Sequence, residues 1–239
     1  MKPSNKLQDI PAIVVKMVKY NMKIIFAGRF IWFFLFSLGF FIGVSLLFVY
    51  NGNTLNESSV YGILLFPGTI LIFYPTIFGI QNDEDAGMLE ILFGIPNYRY
   101  KIWLLRLLIT YLLIFILLIL FSWLSSIFLA PVNTFEIAGQ LMFPVIFLGS
   151  LSFMFSSVIK NGYGTAAVMI LIGIALFVLT DALERSQWNI FLNPFNIPNN
   201  FNEIIWEGVI IKNRIFLSAG IIVSILFGLY NLQKREKFI

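Results

Sequence analysis

The chain has no cysteine and no histidine, and only 12% of its 239 residues are charged. Each absence closes off chemistry. Without histidine or cysteine, no Ser-His or Cys-His nucleophile pair is available, nor a zinc, haem or iron–sulfur site with the usual ligands. There is no disulfide framework from which to read a compartment. No G-x-x-x-x-G-K-[ST] segment occurs, so the chain cannot bind ATP in the Walker manner. A soluble domain carries about 25% charged residues, and half that cannot cover a water-facing surface.

What is present is apolar. Hydrophobic residues make up 59% of the chain, and the mean hydropathy is +0.89. Crossing the roughly 30 Å hydrocarbon core takes about 20 apolar residues. Six stretches reach that length: Phe30–Tyr50, Tyr61–Ile80, Trp103–Leu129, Ile137–Ile159, Thr165–Leu183 and Ile215–Leu232. The strict alternation of a barrel is absent. The expected fold is an all-α integral membrane protein, residues 1–239 forming one transmembrane domain.

The net charge of +4 is placed beside the spans, a pattern that reads as topology and not as nucleic-acid binding. Thirteen of the sixteen Lys and Arg residues fall on one side: the N-terminal arm through Arg29, then Arg99, Lys101, Arg106 and Lys160, and the tail Lys234, Arg235 and Lys237. The other side has Arg185, Lys212 and Arg214. The excess predicts both termini in the cytoplasm. The first span has too long a leader and too long an apolar run for a signal peptide.

Residues 10–28 predict an interfacial helix. Ile10, Ile13, Val14, Met17, Val18, Ile24 and Ile25 share one face, and Lys16, Lys19 and Lys23 lie opposite, toward lipid headgroups. Residues 184–213 are too apolar for a free loop and too broken for a span. With Trp188 and Trp206 they predict short re-entrant helices in the outer interface. Small residues recur at packing spacing: Gly39 and Gly43, Ser152 and Ser156, and Gly220, Ser224 and Gly228.

The spans hold almost no ionisable groups, and Asp181 and Glu184 read as boundary residues. That disfavours a self-contained secondary transporter, which needs charges along its ion path. A membrane-embedded enzyme would need clustered polar groups at one depth. An assembly or anchoring protein could use any bundle.

One polar segment interrupts the apolar pattern. Residues 81–100 carry Asp83, Glu84 and Asp85, then Gly87, Leu89-Glu90-Ile91-Leu92, Pro96 and Arg99. The run is not a calcium loop, because the spacing and the closing Glu are wrong. A helix over 83–93 would place its acidic residues in the first turn, where they complement the helix dipole. Asp83, Gly87 and Glu90 would then share a face. Acidic groups gain nothing from an anionic leaflet, so a basic protein partner would explain them.

This segment resembles the signature of ABC-2-type permeases, the membrane subunits of ATP-binding-cassette exporters. The six-span plan and Asn193-Pro194-Phe195 before the last span are also similar. The resemblance implies that residues 81–100 are a coupling segment docking on a soluble ATPase through Asp83, Glu84, Gly87, Glu90, Pro96 and Arg99. It implies two ATPase copies, which bind ATP and magnesium, and a second permease copy or paralogue. The cargo would be amphipathic or hydrophobic (peptides such as toxins or bacteriocins, or drugs), exported across a bacterial plasma membrane. No cofactor and no catalytic residue is expected in this chain.

The topology is testable because the chain has no native cysteine. Ala86→Cys should react with an impermeant thiol reagent only after permeabilisation, and Asn51→Cys should react on intact cells. The reverse pattern would invert the assignment.

Overall fold

The structure, a computed structural model, describes residues 29–52, 55–85, 87, 99–198 and 201–232. The interfacial helix expected over 10–28, with Lys16, Lys19 and Lys23, lies outside them. So do Glu90 and Pro96 of the polar segment. The described residues are mainly helical, with no strand among them. The helices are α1 (Phe30–Tyr50), α2 (Glu57–Ile77), α3 (Gly79–Asp85), α4 (Leu105–Phe128, preceded by a π-helical turn Arg99–Leu104), α5 (Thr134–Ile159), α6 (Gly162–Ala182) and α7 (Glu203–Asn231). Six helical stretches are long and apolar enough to cross a membrane, α2 and α3 together forming one of them.

Asparagine sets several of the starts. The side chains of Asn56, Asn133 and Asn161 accept from the backbone N–H groups of Ser59, Glu136 and Gly164, satisfying donors that have no partner inside the helix. The α5–α6 turn is made by Lys160, which closes α5 at φ 65°. Prolines 67, 75 and 144 lie inside helices. Each leaves the carbonyl four residues earlier, at Ile63, Leu71 and Gln140, without its helical N–H donor. Ser37 Oγ donates to the Pro67 carbonyl at 3.4 Å and Thr76 Oγ1 to the Ile72 carbonyl at 2.7 Å.

α5 is the centre. α2, α4, α6 and α7 all pack on it, α7 most extensively, and α1 is held chiefly by α2. The main apolar core gathers Leu64, Leu71 and Ile72 of α2, Ile114, Leu118 and Phe121 of α4, and Leu141 and Val145 of α5. Phe41 of α1 stacks on Phe121 at 5.4 Å. Polar links cross the same interfaces: Tyr111 and Ser150 hydroxyls at 2.8 Å, Ser156 Oγ to the Ile77 carbonyl at 2.8 Å, and Asn231 to the Ser157 carbonyl.

Two expectations need correction. Residues 184–213 do not form re-entrant helices. Residues 183–198 run as turns and irregular chain, and residues 203–213 are the first three turns of α7. The last span therefore starts 12 residues before Ile215, because Asn213 and Arg214 are interior groups and not a boundary. Gly39 and Gly43 pack on none of the described residues: a Cβ at either would have no neighbour within 4 Å among them. The buried face of α1 is Phe30, Ser37, Phe41 and Ser45 instead.

Gly220 and Gly228 do pack closely. A Cβ at Gly220 would meet the Phe147 ring, and one at Gly228 the Phe153 ring 2.6 Å away and the Met154 Cα at 3.5 Å. Ser224 between them is buried. Gly149 was not singled out, yet a Cβ there would lie 2.5 Å from Ile72 Cγ1. Gly149→Leu and Gly228→Leu should each destabilise the purified protein by about 1–3 kcal/mol through overpacking. Gly43→Leu should stay within about 0.5 kcal/mol. Thermal unfolding in detergent checks both; equal losses at all three positions would mean that the glycine face of α1 is also covered.

Candidate functional site

The polar segment leaves the bundle through α3, which holds only seven residues but touches most of its neighbours. Asp83, expected on an exposed face, is 3% exposed. Arg106, counted among the basic residues beside the spans, is 6% exposed. They form a two-pronged ion pair, Nη1 to Oδ2 at 2.7 Å and Nη2 to Oδ1 at 3.0 Å. Nη1 also donates to the Gly79 carbonyl at 3.4 Å, and the guanidinium lies 5.1 Å from the centre of the Trp103 ring. This is the only ion pair among the described residues.

Of the stretch 83–93 expected as a helix, the described residues show 83–85, at the end of α3, and Gly87; the rest lies outside them. Asp83, Glu84 and Asp85 form the last turn of α3, where the helix dipole opposes negative charge. Arg106 offsets that cost for Asp83. Gly87 follows at φ +64°, a left-handed conformation that glycine adopts freely. Glu84, Asp85 and Gly87 are exposed. The carboxylates open to a partner are therefore Glu84 and Asp85, with Asp83 turned inward. Arg99 begins the π-helical turn that leads into α4.

Three further contacts bind α3 to the bundle. Gln81 Oε1 accepts from the Gly162 N–H at 2.6 Å, joining α3 to the start of α6. The Tyr74 hydroxyl receives the Arg29 N–H at 2.8 Å and Asn82 Nδ2 at 3.4 Å, joining it to the start of α1. Arg29 reaches Tyr163 of α6 at 3.4 Å. Beneath these, Ile80 packs with Trp103 and Leu107, with Phe153 of α5 and with Leu229 of α7. Movement of α3 thus acts on α4, α5, α6 and α7 directly and on α1 through Tyr74 of α2.

The sequence carried a signal for the pair. Arg106 falls inside the apolar run Trp103–Leu129, and a charge at that depth demands a partner. The acidic cluster before it was the nearest source. The contacts of Gln81 and Tyr74 carry no such signal, since uncharged polar groups near a span end are ordinary.

Among the described residues no cluster of three metal-ligating side chains occurs. Asp181 and Glu184 are exposed around the end of α6. Compared with protein-family models, with curated proteins and with solved structures, the chain matches none.

Removing one member of a buried pair leaves a desolvated charge, at a cost of about 3–5 kcal/mol. Asp83→Leu alone and Arg106→Met alone should each lower thermal stability accordingly. The double variant should recover most of that loss, because apolar side chains of similar size need no partner. Failure of the double variant to recover would mean that the pair holds the neck through hydrogen bonds that apolar groups cannot replace.

Proposed function

We propose that this chain is the membrane subunit of an ATP-driven exporter of the ABC-2 type, with residues 81–100 as its coupling segment. The observation that carries the reading is the Asp83–Arg106 pair. It ties the last turn of α3 to the start of α4, across the neck of the intervening polar segment. A load applied between Asp83 and Arg106 would reach both helices as a unit rather than be taken up by a slack loop.

In this reading a soluble ATPase, present in two copies, binds ATP and magnesium and receives Glu84, Asp85, Gly87 and Glu90. Two permeases, identical or paralogous, face each other around one pathway. Closure of the ATPases displaces α3 and biases the bundle between two states, which is alternating access. Amphipathic peptides such as toxins or bacteriocins, or apolar drugs, suit a bundle with so few internal charges. The membrane is a bacterial plasma membrane, with the α3 end in the cytoplasm. A secondary carrier is less well supported, since Asp83, the one buried carboxylate among the described residues, is neutralised by Arg106 rather than facing a path.

The test is co-purification with a soluble ATP-binding-cassette ATPase of the same cell, together with cargo-stimulated ATP turnover. Glu90→Lys should weaken the complex by about 2–5 kcal/mol if its carboxylate meets a desolvated cation. Gly87→Leu should disrupt the turn, whereas Gly87→Asn, which tolerates φ above zero, should retain it. The Asp83→Leu/Arg106→Met double variant should still bind the ATPase yet lose stimulation. Normal complex and normal stimulation in all four would refute the coupling role.

A further inference from the structure

At the opposite end of the bundle, Arg214 of α7 is 8% exposed and has no carboxylate partner. Its Nε donates to Gln140 Oε1 of α5 at 2.9 Å and its Nη1 to Asn213 Oδ1 at 2.9 Å. The guanidinium sits 5.0 Å from the centre of the Phe143 ring. Its Nη2 has no hydrogen-bond partner. The Tyr61 hydroxyl, which donates to the Leu192 carbonyl at 3.2 Å, also faces the guanidinium as a hydrogen-bonding neighbour. A full positive charge with an unused donor in a membrane-spanning helix is costly unless something anionic meets it.

The surroundings define what could meet it. Arg214 lines a lateral groove of about 590 Å³ between α5 and α7, continued by Ile215, Ser218, Ala219 and Ile222. Through Gln140, Ile210 and Ile211 this groove adjoins a second cleft of about 530 Å³. That cleft carries four carboxylates, Glu57, Glu136, Glu203 and Glu207. Glu203, Glu207 and Arg214 follow at i, i+4 and i+11 on α7, which places them along one face. From the unpaired end of the groove to its apolar end, the order is therefore anionic, cationic, apolar.

Depth agrees with this order. From Arg214 to Asn231, the last residue of α7, the helix rises about 26 Å, close to the roughly 30 Å of a hydrocarbon core. With Asn231 near one boundary, Arg214 lies near the other, at the level of lipid phosphates. Arginine side chains lean toward the helix N-terminus, so the guanidinium reaches toward the glutamates and water.

We propose that this groove is a binding site for an aminophospholipid of the leaflet into which α7 begins. The phosphate pairs with the part of the Arg214 guanidinium that lines the groove, the primary ammonium meets the glutamate cleft, and an acyl chain lies along Ile215 to Ile222. A lipid with an anionic headgroup would satisfy Arg214 but would set its remaining polar end against four carboxylates. A choline headgroup would bring positive charge without N–H donors. The assignment is independent of the exporter reading, since it needs only a membrane around the bundle.

The experiment uses the purified full chain in detergent, with phosphatidylethanolamine, phosphatidylcholine and phosphatidylglycerol of matched acyl chains. Binding is read by native mass spectrometry and by lipid-dependent thermal stabilisation. Phosphatidylethanolamine should bind best. Arg214→Gln should weaken it about tenfold, the effect of one charge-assisted hydrogen bond. Glu203→Gln with Glu207→Gln, both exposed positions, should leave phosphate binding intact and erase the preference over phosphatidylcholine. Glycerophosphoethanolamine, the headgroup without chains, should not compete at equal concentration. Equal binding of the three lipids by the native chain would overturn the proposal, as would an Arg214→Gln protein that binds phosphatidylethanolamine normally. Competition by the free headgroup would identify a soluble phosphate ligand and overturn the lipid assignment.

Discussion

Close approach to α5 is the constraint on which the rest of this bundle depends. Lipid tails are as apolar as leucine, so helices in a bilayer gain little by hiding apolar side chains from one another. Contact at short range and hydrogen bonding across the interface must supply the attraction. Both concentrate on α5: its Gly149 admits Ile72 of α2, and its Phe147 and Phe153 fill the notches at Gly220 and Gly228 of α7. Ser150 and Ser156 of the same helix hydrogen-bond with Tyr111 of α4 and with the Ile77 carbonyl of α2, and the Ser157 carbonyl accepts from Asn231 of α7. α1 and α6 lack this intimacy and present most of their surface outward.

The small helix α3 imposes a second order on that framework. It is too short to be stable by its own hydrogen bonds, since isolated helices below about 12 residues are marginal in water. Its conformation is fixed from outside, by Arg106, by the Gly162 N–H and by the core under Ile80. The same contacts that hold it in place make it the point where several long helices share a common neighbour. Rigidity there and transmission from there have one physical origin. At the other end, Asn213 plays a quieter part. Its amide donates to the Gln187 and Asn189 carbonyls at 2.8 Å each, and so ties the irregular 183–198 segment to the flank of α7.

Hydropathy made the long helices legible. Phe30–Tyr50 was found to the residue, and the other starts were displaced mainly by caps, as at Asn56 and Asn133, which lie outside the apolar runs. What hydropathy could not show is whether a polar residue marks a boundary or an interior partner. Lys212-Asn213-Arg214 read as the edge of the last span, yet two of the three are buried. Asp83 read as part of a solvated acidic run for the same reason. The deciding fact in both cases is a partner distant in sequence, Gln140 or Arg106, and single-residue propensity contains no term for it. The glycine pattern failed similarly. Spacing identifies Gly39–Gly43 and Gly220–Gly228 equally well, while among the described residues only the second pair has an aromatic ring facing it.

The helix lengths give the bundle an uneven profile. α1 and α6 have 21 residues each, about 31 Å of rod, whereas α7 has 29, about 43 Å. The two peripheral helices barely span a hydrocarbon core of roughly 30 Å, and the longer ones exceed it. Hydrophobic mismatch therefore falls on the rim first. A thicker bilayer would stretch past the ends of α1 and α6 while α5, with 26 residues, still had length to spare, and the surrounding lipid would have to thin to meet them. Acyl-chain length thus becomes a mechanical variable, acting on the loosely held helices without disturbing the contacts along α5.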